Sequence, residues 1–357
     1  MSPVPSSRDE EDTRRHLEAW LRPRLGNDVV VSDVTVPDGS GFSNETLLFR
    51  AAWTADGEAH RADLAARLRP IGYAVFAEYD LSLQYRCLES VAERSSVPVP
   101  RVRWFESEEA ALGAPFFVMD RVEGQVPPDS PPYTAGGWLF EASPADQARL
   151  HRSALEVMAA LHRLDWEDGF GFLQHHDLGP PGMGAQLAAG RAYLVWAAEG
   201  GSLPRHEAAM AWLEANRPEE PPIGVNWGDA RIGNMMFRDF EPVAVFDWEM
   251  ATLGPAEVDL AWWLVLERYS AEGNGQPPLP GFPSREETIA GYEELLGRPV
   301  RDLEYYEVWA ALRFAIVLVR VIRMMTAHGV IPPGSGFDVD NFATAELRRL
   351  IGPELGA

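Results

Sequence analysis

Lysine is missing altogether: the 31 basic residues of this 357-residue chain are all arginine. A phosphate-binding lysine is therefore excluded, and arginine, whose guanidinium stays protonated and can bind an oxyanion bidentately, is its chemical substitute. Cysteine is nearly missing too, with Cys87 the sole example, which rules out an internal disulfide framework and leaves a reducing, cytoplasmic setting as the expectation. Cys87 itself reads as a small apolar residue on a helix. Long apolar runs are also lacking. The longest, 260–266 and 314–319, fall far short of the roughly 18 residues a membrane-spanning helix needs. The Ser-rich, acidic start of the chain has no apolar segment of the kind a secretory signal carries, so a soluble, unsecreted protein is expected. Positive charge is scarce, since 54 acidic residues against 31 basic give a net charge of -23. That balance argues against nucleic acid, whose phosphates it would repel, and against anionic membrane surfaces. A neutral or cationic small molecule fits it better.

What is present suits one large two-lobed domain or two domains, with 46% apolar residues for a core. After an amphipathic stretch at 14–25, residues 29–36, 45–54 and 61–69 read as strands, with turn signals at Asp38-Gly39 and Asp56-Gly57. Residues 78–94 carry apolar residues at helical spacing, V-P-V-P introduces a strand at 101–105, and a fifth strand spans 115–122. The first third thus reads β-β-β-α-β-β, a small antiparallel sheet with one helix. Near Glu123 the texture changes: a Pro-rich connector at 126–133 precedes helical patterns at 144–164, 185–198, 257–269, 285–296, 303–328 and 341–351. The expectation is an α+β fold with lobes at 1–123 and 124–357.

The most informative segment is 225–249, V-N-W-G-D-A-R-I-G-N-M-M-F-R-D-F-E-P-V-A-V-F-D-W-E. Asp229 and Asn234 bracket a short loop containing Gly233, and Asp247 follows a second apolar strand at 243–246. Singly, these residues are turn formers or strand-end caps. Together they match what phosphoryl transfer needs: a carboxylate to orient an acceptor hydroxyl and hard oxygen ligands for Mg2+. Asp229 suits the first role, Asn234 and Asp247 the second. Glu249, two residues further along an extended segment, supports the metal directly or through water. Asp259, in D-L-A-W-W, reads as a brace for the loop.

Other parts of such a site follow by position. Gly39, Ser40, Gly41, Phe42, Ser43 and Asn44 lie between the first two strands, where small residues let backbone N–H groups approach phosphates, although alone they read as a hairpin turn. Arg67, in A-A-R-L-R-P, reaches the α and β phosphates; Arg69 has the same parity, and Arg67 is preferred because it lies deeper in the strand. Gln84 is the helix position facing that arginine. Met119, Asp120 and Val122 fall where strand meets connector, with backbone groups near Asp120 and Val122 as candidates to hydrogen-bond adenine. No zinc site is expected: His175-His176 lacks ligand spacing and His162 reads as a packed helix histidine. Arg313, Arg320 and Arg323 recur at helical spacing, either as snorkelling surface residues or as ligands of an acidic substrate group.

These residues resemble the aminoglycoside phosphotransferase and choline kinase superfamily, including its branch of kinase-like domains fused to some acyl-CoA dehydrogenases, over about 29–263. The family loop H-G-D-x-x-x-x-N appears as Trp227-Gly228-Asp229 through Asn234, and D-x-E as Asp247-Trp248-Glu249. G-F-S-N matches the nucleotide loop and F-V-M-D-R-V-E-G the hinge. The resemblance implies a bilobal protein-kinase-like fold, ATP with Mg2+, and Asp229 as catalytic base. Three departures stand out: Trp227 for the loop histidine, removing a bracing hydrogen bond; Arg67 for lysine; Gln84 for glutamate. The expected activity is ATP-dependent phosphorylation of a hydroxylated small molecule, whether an aminoglycoside, a hydroxyacyl thioester or another metabolite. A nucleotide-binding module with little catalysis is the rival. A protein kinase is disfavoured because the chain enters helix soon after Asp247.

Overall fold

Asp9 opens the first helix, α1 (Glu10–Leu25), by accepting from the Asp12 backbone N–H at 2.8 Å, and the acidic first turn and arginines of the last turn complement its dipole. In the computed structural model, which describes residues 8–37, 44–70 and 74–352, α1 packs on a sheet whose first strands are β1 (Val30–Thr35), β2 (Glu45–Ala55) and β3 (Glu58–Leu68). Asp56 and Gly57 both take positive φ, +53° and +79°, the backbone a tight antiparallel hairpin between β2 and β3 requires. After β3 come α2 (Leu81–Arg94), β4 (Val102–Glu106) and β5 (Phe116–Asp120). Asp80 caps α2 through the N–H groups of Ser82 and Leu83.

The strand order is β1-β2-β3-β5-β4, so β5 inserts beside β3. That insertion brings the end of β5, the candidate hinge, next to β3, which carries Arg67. Alternation divides the sheet's contacts. Leu47, Phe49, Leu64, Ala66, Phe116 and Val118 close over Leu17, Trp20 and Leu21 of α1 in a core of their own. Ala65, Phe117 and Met119 join Leu81, Cys87 and Leu88 of α2 in a second core, which continues without a break into the helical part of the chain.

The remainder is mostly helical: α3 (Pro144–His162), α4 (Met183–Ala198), α5 (Pro204–Ala215), then strands β6 (Ile223–Asn226), β7 (Met235–Arg238), β8 (Glu241–Val245) and β9 (Thr252–Pro255), then α6 (Glu257–Ser270), α7 (Arg285–Leu296), α8 (Leu303–Ala327) and α9 (Phe342–Ile351). β6 pairs with β9 and β7 with β8. The architecture is the bilobal, kinase-like arrangement, with α5 and the β6–β9 ribbon added to the expected elements. No helix among the described residues is long and apolar enough to cross a membrane.

Candidate active site

β6 ends at Asn226, whose amide donates to Pro255 O and accepts from Gln186; this fixes the ribbon from which the loop departs. The next two backbone N–H groups, of Trp227 and Gly228, donate to the two oxygens of Asp259 at 2.6 and 3.0 Å. Asp259 is fully buried in the first turn of α6, so a carboxylate at a helix N-terminus holds the start of the loop. The same carboxylate accepts from His162 Nε2 at 2.9 Å, and His162 Nδ1 contacts the Tyr292 hydroxyl. Burial and the nearby Asp259 push the Tyr292 phenol well above its ordinary range. Gly228 is required twice over: its φ is +92°, and a Cβ there would lie 2.0 Å from Met250 O.

Asp229 is held from two sides. Oδ1 accepts from Trp262 Nε1 at 2.8 Å and Oδ2 from Asn234 Nδ2 at 2.6 Å. Trp262 lies three residues after Asp259 on α6, so one helix face supplies both the brace and this contact. Asn234 donates from the same Nδ2 to Asp229 O at 3.0 Å, and its Oδ1 carries no hydrogen bond among the described residues. The hairpin β7–β8 then reverses through Asp239 and Phe240, both left-handed at φ +51° and +63°, and Phe246 N donates to Asn234 O at 2.9 Å. Asp247 is thereby delivered beside Asn234.

Trp227 was expected to remove a brace. Instead its indole Nε1 donates to Phe246 O at 2.7 Å, so the ring ties the Asp229 loop to the residue before Asp247. An indole carries one strong donor, and here it is aimed at the backbone of the other half of the motif.

Across the cleft, Arg67 Nη2 donates to Asp247 Oδ1 at 2.8 Å and Nη1 reaches Thr46 Oγ1 at 3.4 Å. Arg69 is exposed. Gln84 was expected to hold Arg67; the arginine's hydrogen bonds go to Asp247 and Thr46, and Gln84 lines the same cleft with Leu88, Phe117, Met119 and Trp248. Glu249, expected at the metal directly or through water, has its Oε2 accepting from the buried Asn44 Nδ2 at 2.6 Å, a bridge to the start of β2. The other glycine-loop residues, Gly39, Ser40, Gly41, Phe42 and Ser43, lie outside the described residues. At the hinge, Asp120 N already donates to Arg101 O and Arg121 N to Asp63 O, and the Asp120 carboxylate takes Arg103 Nε at 2.7 Å. The Asp120 N–H is therefore spent within the sheet. Val122 follows the strand.

Among the described residues no three His, Cys, Asp or Glu side chains converge as a metal cluster. The donor set suits Mg2+ in another form. The Asn234 Oδ1, without a hydrogen bond, and the Asp247 carboxylate are hard oxygen ligands of the kind that bind this ion together with phosphate oxygens.

Sequence reasoning missed Trp262 and Arg231, and placed Arg313 on the surface or at a substrate group rather than at the loop. Trp262 holds the Asp229 carboxylate. Arg313, on α8, donates Nη2 to Gly228 O at 3.0 Å and stacks 4.7 Å from the Trp262 ring; burial lowers its pKa against the opposing pull of Asp259 and Asp229. Arg231 places Nε 3.4 Å from Asp229 Oδ2 and Nη1 2.8 Å from Asp129 Oδ1. Burial acts to lower its pKa, but Asp129, Asp229 and Asp247 outweigh it and raise it. The available signal was an arginine two residues after Asp229 in a chain without lysine. Arg320 and Arg323 neither snorkel freely nor line the loop: Arg320 binds Ala74 O and Glu199 over the Trp196 ring, and Arg323 binds Ala197 O.

Residues 35–298 match the model of the Phosphotransferase enzyme family. A probable acyl-CoA dehydrogenase from Arabidopsis thaliana is 25% identical over 305 residues, covering 79% of this chain and 35% of that protein. The chain thus spans about a third of the length of this curated relative. Among solved structures, a candidate aminoglycoside phosphotransferase from Ralstonia eutropha JMP134 aligns with a TM-score of 0.65 at 23% identity, covering 96% of both chains. A thermostable D198A mutant of aminoglycoside phosphotransferase APH(4)-Ia, in a ternary complex with ADP and hygromycin B, aligns at 0.50 with 15% identity, covering 96% of this chain and 99% of that one. These likenesses establish the shared fold.

Proposed function

We propose that this chain, which belongs to the phosphotransferase enzyme family, transfers the γ-phosphate of ATP to a hydroxyl of a small molecule, with Mg2+ and with Asp229 as base. The observation that carries this reading is the joint immobilisation of Asp229 by Trp262 and Asn234, with Asp247 brought alongside by the Phe246–Asn234 backbone bond. A carboxylate fixed at both oxygens is oriented before any substrate arrives, and orientation is most of what phosphoryl transfer asks of a protein. Asp229 accepts the hydroxyl proton as the acceptor oxygen attacks. Arg67 turns from Asp247 to the phosphates, Asn234 and Asp247 would hold the metal, and Mg2+ when bound neutralises phosphate charge. The ADP carried by a protein of the same fold supports an adenine nucleotide. In this reading the sheet lobe, 1–123, binds nucleotide and 124–357 supplies base and acceptor pocket, in the cytoplasm. The acceptor is an aminoglycoside-like or other hydroxylated metabolite; the acyl-CoA dehydrogenase relatives add hydroxyacyl thioesters to the classes to be screened.

The test is a screen of metabolite pools, aminoglycosides, choline, sugars and hydroxyacyl thioesters for ATP-dependent phosphorylation. A phosphorylated product that disappears in Asp229→Asn, with nucleotide binding retained, is the expected result. The rival module with little catalysis is favoured by one contact, the Arg67–Asp247 ion pair at 2.8 Å, which ties up a metal ligand. Nucleotide binding with no product from any pool would decide for it.

A further inference from the structure

Arg231 forms an ion pair with Asp229, yet bracing the loop does not account for it. Its Nε meets Asp229 Oδ2 at 3.4 Å and its Nη1 meets both oxygens of Asp129, at 2.8 and 3.0 Å. Nη2 carries no hydrogen bond among the described residues, although the side chain is only 25% exposed. Asp129, its stronger partner, sits in the Pro-rich connector with its side chain 63% exposed, so that bond is half in water and exchangeable.

The loop is shaped to hold this guanidinium. Gly233 has no positive φ, so backbone conformation does not demand glycine there. A Cβ at 233, however, would lie 2.2 Å from Arg231 Nη1. The glycine therefore leaves the space into which the arginine folds back across the loop. From that position Arg231 feels the fields of Asp129 in the connector, of Asp229 and of Asp247.

We infer that Arg231 is a catalytic residue that leaves Asp129 and donates Nη1 and Nη2 to the γ-phosphoryl group in flight between nucleotide and acceptor. This rests on the phosphotransferase reading above. In the step, the acceptor oxygen–phosphorus bond forms as the bond from γ-phosphorus to the β,γ-bridging oxygen breaks. The hydroxyl proton goes to Asp229, and the bridging oxygen leaves with its electron pair on ADP. Charge spreads over the three peripheral oxygens of the transferring group, and a planar fork of donors stabilises it where it develops.

The test needs no acceptor. Calorimetry measures binding of Mg2+ with ADP and with the non-hydrolysable triphosphate AMP-PNP to wild type, Arg231→Gln and Gly233→Ala. The expected result is an AMP-PNP affinity about tenfold weaker in Arg231→Gln, the worth of one charge-assisted hydrogen bond, with ADP affinity unchanged. Gly233→Ala, which keeps the charge and displaces the guanidinium, shifts the same ratio in the same direction. Equal weakening of both nucleotides, or no weakening of either, overturns the inference while leaving the wider reading intact. Failure of the wild type to bind any nucleotide overturns both. Thermal melts of each variant exclude unfolding as the cause.

Discussion

The two sides of the cleft are built differently. On the helical side, the segment from Trp227 to Asp247 is fixed largely through its own backbone: Asp259 takes two consecutive N–H groups, Arg313 takes the Gly228 carbonyl, and the Trp227 indole ties to Phe246 O. On the sheet side, Arg67 and Asn44 reach across through side chains, to Asp247 and Glu249. Backbone anchoring gives a constellation that exists before substrate binds. Side-chain bridges between a carboxylate and a guanidinium or amide can be exchanged for phosphate. The helical side is therefore preorganised and the sheet side switchable.

That contrast can be broken in order of expected effect. Asp229→Asn should lower turnover by about 10²–10⁴-fold, the usual worth of a positioned base, with little change in melting temperature; retained turnover in a steady-state assay would end the assignment. Asp259→Ala should destabilise the fold by about 3–5 kcal/mol, because it strips buried N–H groups and His162 of their acceptor, read by denaturant unfolding. If that variant unfolded like wild type but lost nucleotide affinity, the two sides would not differ as described. Arg67→Met should weaken nucleotide binding by about tenfold with a smaller effect on stability than Asp259→Ala, measured by calorimetry alongside the melt. The smallest effect belongs to Asn44→Ala, about 0.5–1 kcal/mol, the low end for one hydrogen bond, seen as a roughly two- to fivefold weaker nucleotide affinity.

One pH effect belongs to the helical side alone. Burial depresses the His206 pKa from 6.5 to about 4, so the unfolded chain binds its proton first. Stability tied to the neutral ring is fully present above pH 6.5 and falls as the pH drops toward 4. His206→Gln should flatten that acid limb in unfolding curves between these values.

Much of this was legible in the chain. Alternation in β2 and β3 and the helical patterns of α3, α6 and α8 specify local structure that tertiary packing did not override. α5 was not legible because its core face, His206, Ala209, Met210 and Leu213, includes a histidine and an alanine that blur the apolar stripe. Asp229, Asn234 and Asp247 could be picked out because their spacing lies within one segment. The partners of Arg67, Glu249 and Trp227 could not, because each is chosen by the approach of a different element. Asp129 shows the limit most clearly: an acidic residue in a Pro-rich connector carries no sign that it meets a loop 102 residues away.

Asp247 sits at φ +58°, a left-handed backbone that short Asx side chains tolerate and longer or branched ones resist. The alphabet available at this position is thus narrowed by conformation before chemistry is considered: Asp, Asn and Gly fit the turn. A glutamate could offer the same oxygens, but only from a backbone that disfavours it. The demand of the turn and the proposed role as a short, hard-oxygen ligand converge on one residue, and Asp247→Asn separates them, keeping the turn while discarding the charge.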